Sequence, residues 1–270
     1  MSDLYHLLRG ARVYDLSQPY FVGMPHFPTH PPFLFSLTKK HGDLVTDDGV
    51  SSAADAITLG GHVGTHIDAL CHFSCDGKLH GGMEAEPIQS YGDGLRALSI
   101  DTVEPIIKRG VMLDIAGHLG FDALPTDWTI TPDQLDAAAR KQAVEVLPSD
   151  VVVLRTGWAR FWNDPARYIT GGQGSQAAGP GPMLDGARWL SQRGIFAAGS
   201  DTVAFERVPV PRMAVHVHLL VESGIHIIEA LNLEELSRER VYEFLFIAAP
   251  LKIRGGTGSP IRPLALSATA

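Results

Sequence analysis

The segment Gly60-Gly61-His62-Val63-Gly64-Thr65-His66-Ile67-Asp68-Ala69-Leu70-Cys71-His72-Phe73 places three imidazoles and a carboxylate within eleven residues, His62 to His72. Imidazole nitrogen and carboxylate oxygen suit divalent zinc, manganese or iron. An ion held this way polarises a carbonyl and lowers the pKa of water toward neutrality. In a straight strand His62 and His66 would stand about 13 Å apart, at ~3.3 Å per residue, too far to share one ion. A helix would bring i and i+4 together, but the glycines around them cost about 1 kcal/mol each in a helix interior. The remaining backbone is a bent one, with Gly64 permitting the turn that folds both histidines onto one point.

A second cluster lies far along the chain, where Pro211 to Glu229 contains His216, His218, His226 and Glu229. This stretch reads as helix, glycine stop and strand. Eight residues from His216 to Gly224 climb about 12 Å at helical rise, and five return about 16 Å at strand rise. The lengths nearly cancel, so His216 and Glu229 can meet and complete a second metal position, with Asp68 bridging two ions. His218 and His226 compete for the same role, with ordinary polar surface or packing positions as their alternative.

These residues need elements to hold them. Apolar runs at Val111–Ile115, Val151–Leu154, Ile195–Ala198, Ile225–Ile228 and Tyr242–Ala248 read as buried strands. Thr131–Gln142 reads as a helix, with Thr131 as cap and Pro132 in its first turn, and Met183–Arg193 as another, ending at Gly194. A third helix is expected from about Ala214 to Ser223, closed by Gly224. Strands interleaved with helices around one core make an α/β chain, read as one domain over residues 1–270. The glycine-rich stretch Gly171–Pro182 reads as a loop, either disordered or a lid. Pro19–Phe35, rich in Pro, Phe and His, should be irregular.

Composition narrows the function classes. The chain has 270 residues, 45% of them hydrophobic, and its mean hydropathy is close to zero. The 22 basic residues against 30 acidic ones give a net charge of −8, and basic residues cluster no further than pairs such as Lys39-Lys40 and Lys108-Arg109. A nucleic-acid binder needs a concentrated positive face, so nucleic acid is not an expected partner. No apolar run approaches the roughly 18 residues of a membrane span, so no membrane association is expected. The start of the chain has no basic-then-apolar signal pattern. A disulfide between Cys71 and Cys75 would close too small a loop to stabilise much, so both are read as free thiols, small and buried, in a cytoplasmic enzyme. Phe27, Phe33, Trp158, Phe161 and Trp162 offer aromatic surface for a ring-bearing substrate, or else pack the core.

The pattern His62-x-Gly64-Thr65-His66-x-Asp68-x-x-x-His72-Phe73 resembles the signature of the cyclase family, which includes bacterial kynurenine formamidases and isatin hydrolases. The resemblance runs over nearly the whole chain, through Val13-Tyr14-Asp15-Leu16-Ser17, Arg155-Thr156-Gly157-Trp158, Gly199-Ser200-Asp201-Thr202, His216…Glu229 and Gly256-Thr257-Gly258-Ser259-Pro260-Ile261-Arg262. It implies a swivelling β/β/α fold, hydrolysis of a cyclic or acyl amide, and a homodimer or homotetramer that lends pocket loops across its interface. It implies further that His62, His66 and Asp68 bind a divalent metal (zinc or manganese), that His72 is the acid/base, and that His216 and Glu229 hold a second ion. Leu70 stands where the family usually has proline. Glu229 sides with the two-metal formamidases and the C-terminal motif with isatin hydrolase, so no substrate is assigned. The expected substrate is a small aromatic molecule bound beside Phe27, Trp158, Phe161 and Trp162. A metal-dependent cyclase or dehydratase, and a non-catalytic metal-binding protein, are the rival readings.

Overall fold

All five apolar runs expected as strands join one nine-stranded sheet of mixed direction. The computed structural model describes residues 8–172 and 174–268. In chain order the strands are β1 (Ala11–Asp15), β2 (His66–Asp68), β3 (Ile106–Asp114), β4 (Val151–Arg155), β5 (Ala197–Ser200), β6 (His226–Glu229), β7 (Glu243–Ala248), β8 (Gly258–Pro260) and β9 (Leu264–Ala268). Across the sheet they run β1-β9-β7-β3-β4-β5-β6-β2-β8. Strands β3 to β6 are mutually parallel, and the flanking pairings are antiparallel.

The central strands are near-continuous apolar runs because both faces are covered, as parallel sheets require. Side chains alternate between two cores. Met112, Val151, Val153, Ala197 and Ile228 enter one, and Val111, Leu113, Val152, Leu154, Ala198 and Ile227 the other. The second core is closed by α1 (Pro132–Gln142) and α2 (Leu184–Ser191) through Leu135, Ala138, Ala187 and Leu190. Helix α1 starts where its sequence says it must: Thr131 and Gln134 form a reciprocal capping box ahead of Pro132.

Several boundaries differ from the sequence expectation. Strand β3 begins earlier, at Ile106, and stops at Asp114, whose carboxylate caps the next turn by accepting from Gly117 N. Ile115 therefore opens a short helical turn instead of closing the strand. The helix expected over Ala214–Ser223 is α-helical only at Ala214–His216 and continues as a wider π-type turn, Val217–Glu222. In the expected loop of Gly171–Pro182, Gly181–Pro182 pair in parallel with Thr129–Ile130, and the second half of the segment is no lid. Ala177 and Gly179–Pro182 are buried, with Ala178 N bonded to Ile169 O, Gly179 paired with Val208, and Gly181 N bonded to Trp128 O.

Outside the sheet stands a hairpin of Leu34–Lys39 with Ala54–Thr58. Neither strand has a buried residue. Among the described residues no helix is long and apolar enough to cross a membrane.

Candidate metal centre

The three-residue strand β2 carries His66 and Asp68 and is clamped on both edges. Glu229 of β6 lies opposite His66, and Gly258 of β8 lies opposite Asp68. Upstream, the chain bends as its glycines suggest. Gly64 takes φ +71°, and a Cβ there would sit 2.4 Å from the Tyr20 ring. That bend brings the rings of His62 and His66 to 5.3 Å, nearly perpendicular. Across the turn that follows Asp68, His72 stacks on His62 at 3.8 Å.

Hydrogen bonds fix the orientations. His62 Nδ1 lies 2.7 Å from Asp68 Oδ1, and its Nε2 lies 2.9 Å from Thr257 Oγ1. His66 Nδ1–H donates to Gly64 O at 2.8 Å. Its Nε2 then faces Asp68 Oδ1 at 3.5 Å and Glu229 Oε2 at 3.4 Å. The climb-and-return arithmetic for the distant cluster holds: His216 Nε2 meets Glu229 Oε1 at 3.2 Å and stands 4.0 Å from Asp68 Oδ2. Glu229 Oε1 also accepts from Phe205 N.

Two triads of donor atoms result, each within 4.8 Å: His62, Asp68 and His72, and Asp68, His216 and Glu229. Asp68 belongs to both, and His66 lies between them. Buried polar atoms are normally paired, yet His66 Nε2 and Asp68 Oδ2 are buried with no hydrogen-bond partner. Two such lone pairs turned into one nest of imidazoles and carboxylates fit a divalent cation. By distance His62 qualifies as a donor, and so does His72, which the sequence assigns to acid/base work and not to the ligands.

The electrostatics agree with that fit. Burial would raise the Asp68 carboxyl, but the surrounding imidazoles of His72, His62 and His66, with the hydrogen bond to His62, hold it far below the carboxylate range. Burial likewise opposes ionisation of Glu229, but the hydrogen bond from His216 and the nearby imidazole of His66 bring it down to about 2. For His216, burial disfavours the charge, and hydrogen bonds to Glu206 and Glu229 override it and push the imidazole up to about 10. His72 goes the other way, pushed down to about 3 by burial. It is therefore a neutral imidazole beside two anions.

The other candidates separate clearly. His218 turns away and pairs with Glu222 and Ser191. His226 lies behind the site, its Nδ1 at 2.8 Å from the Asp68 carbonyl oxygen. Of the aromatics, Phe27 adjoins the site: its ring is 5.6 Å from His30, which lies 5.3 Å from His62. Trp158 and Trp162 are buried in an aromatic cluster with their indole N–H groups bound to Tyr168 O and Pro19 O. Phe161 packs edge-on against Trp158. Among the described residues no ring contact joins these three to the histidines. Cys71 is buried, its thiol pushed up to about 11 by that burial, whereas Cys75 is exposed, which corrects the expectation of two buried thiols.

Three contributors escaped the sequence reading. Thr257 anchors His62 and Glu206 anchors His216, while His30 joins the ring series. Thr257 lay within the quoted C-terminal motif, which was a usable signal. Glu206 stood as a lone acid after Val203-Ala204-Phe205, and no periodicity marked it.

Fold and site together define an α/β protein whose histidine and carboxylate nest is compatible with a divalent metal. The chain belongs to the cyclase family: residues 14–207 match the family model described as "Putative cyclase". It is similar to the isatin hydrolase of Roseibium aggregatum, with 29% identity over 223 residues covering 81% of this chain and 76% of that one. It is also similar to the kynurenine formamidase of Bacillus cereus, with 26% identity over 249 residues covering 92% and 94%. Among solved structures, a novel cyclase superimposes with TM-score 0.86 at 28% identity, covering 99% of this chain and 90% of the other. Isatin hydrolase A from Ralstonia solanacearum gives TM-score 0.77 at 26% identity, covering 98% and 95%. The α/β fold expected from the resemblance, a swivelling β/β/α fold, is thus the fold of these cyclase-family structures.

Proposed function

We propose that this protein is a metal-dependent amidohydrolase that opens a cyclic lactam or cleaves an N-acyl or N-formyl aryl amide. The observation that carries the reading is the pair of partnerless buried atoms, His66 Nε2 and Asp68 Oδ2, facing a shared nest. The hydrolase names of the relatives support the reaction class. In this reading His62, His66 and Asp68 would hold one divalent ion, zinc or manganese, and His216 and Glu229 with Asp68 would hold a second. The metal supplies Lewis acidity toward the scissile carbonyl and toward water.

The protein's own groups do the rest. His72, neutral and stacked on His62, takes the proton from attacking water and returns it to the leaving nitrogen, the role of a general base turned acid. Phe27 and His30, half-buried beside His62, offer a flat ring a surface to stack on. The whole chain acts as one catalytic unit.

The free hairpin supports a homo-oligomer, a dimer or tetramer. A lone two-stranded hairpin is marginally stable in water, and this one exposes Phe35 and Ile57 at 48% and 58%. Elemental analysis of protein purified without chelator or column metal tests the centre. Two equivalents per chain support the binuclear reading, and one demotes Glu229 to a supporting role. No metal and no uptake of zinc or manganese sinks the proposal. Loaded protein is then assayed against isatin and N-formylkynurenine.

A further inference from the structure

The geometry points to Glu206 as the positioning residue for His216: it holds the imidazole with Nδ1 protonated so that Nε2 can serve the second metal position. This inference rests on the binuclear reading above. Glu206 is 1% exposed and makes no ion pair with Lys or Arg among the described residues. Its Oε1 accepts twice from one residue, from the His216 backbone N–H at 3.0 Å and from Nδ1 at 2.7 Å. A buried carboxylate carries a large desolvation cost, and here it is committed to a single histidine. The two hydrogen bonds fix both the turn on which His216 sits and the rotation of its ring.

The consequence is directional. With Nδ1–H bound to Glu206, the other nitrogen is turned toward Glu229 Oε1 and Asp68 Oδ2. Histidines that bind metals commonly give their second N–H to a carboxylate, which fixes the tautomer and raises ligand basicity. Glu206 also adjoins Phe205, whose backbone N–H binds Glu229 Oε1. Two consecutive residues thus orient both members of the pair. His66 has no such carboxylate, since its Nδ1–H goes to the Gly64 carbonyl.

The test is manganese titration by calorimetry on parent, Glu206→Gln and Glu206→Met proteins. Glutamine keeps an acceptor but loses the charge, and methionine loses both. Expected is a weakening of the second site by about ten-fold in the first variant and about a hundred-fold in the second, the span for such partners. The site of His62, His66 and Asp68 should keep its affinity, which a general structural defect would not allow. Equal affinities at both sites in all three proteins overturn the role of Glu206 and leave the binuclear reading intact. A parent that takes up no second ion overturns both. Should the variants fail to fold, the zinc-loaded parent decides through its imidazole nitrogen NMR. A proton on His216 Nδ1 supports the assignment, and a proton on Nε2 overturns it.

Discussion

Removing the His72 imidazole should separate chemistry from metal binding. His72→Ala is expected to lower kcat by about 10²–10⁴ while metal content by elemental analysis stays at the parent value. If metal is lost with activity, His72 is a ligand, as its place in the first triad allows. The ion pair behind it gives a pH prediction for chelated protein. His216 is raised from 6.5 to about 10, so its stabilising contribution is complete below pH 6.5 and fades as pH climbs through about 10. Glu229 is lowered from 4.5 to about 2, so its contribution is complete above pH 4.5 and fades as pH drops through about 2. Thermal unfolding of the metal-free protein should therefore show a plateau between these limits and decline on both sides. Metal taken up at neutral pH must also displace a proton from His216. Calorimetry in buffers of different ionisation enthalpy should detect that release at the second site.

At the scale of elements, the bend at Gly64 decides whether the chain can bring His62 to the His66 and Asp68 that β2 carries. A left-handed backbone costs a residue with a Cβ about 1–2 kcal/mol, and the Tyr20 ring would have to move as well. Gly64→Ala should lower both the melting temperature and the metal content, measured on one preparation by calorimetry and elemental analysis. Loss of neither would mean that the loop reaches His62 by another path. The same element shows how much the sequence disclosed. The convergence of His62, His66 and Asp68 was legible because residue types suited to a metal and glycines crowd one short segment, and a straight strand was excluded by length alone. His216 and Glu229 were legible because a helix and a strand of known rise cancel. The π-type turn after His216 was not, since nothing in Val217–Glu222 departs from a helical pattern. The aromatic assignment was the least legible, because Trp158 and Trp162 satisfy their indole N–H groups inside the core, and a side chain's partner across the fold leaves no local mark. Glu206 was hidden for the same reason.

At the scale of the molecule, the hairpin of Leu34–Lys39 and Ala54–Thr58 is the surface that a second copy would cover. Phe35→Glu combined with Ile57→Lys should shift the protein to a smaller species by light scattering, with the metal content per chain unchanged. An unaltered mass would place the interface elsewhere. The strand order has a consequence for biosynthesis. Strand β2 is made early, but its two neighbours, β6 and β8, are among the last strands to be made. While the ribosome is still extending the chain, His66 and Asp68 have no sheet to enter, and the slot that receives them closes only after Pro260 has emerged. Such long-range pairing folds late. The histidine and carboxylate nest is therefore assembled only in the finished chain, and a nascent or truncated polypeptide ending before β6 would carry His62, His66 and Asp68 without the partners that surround them.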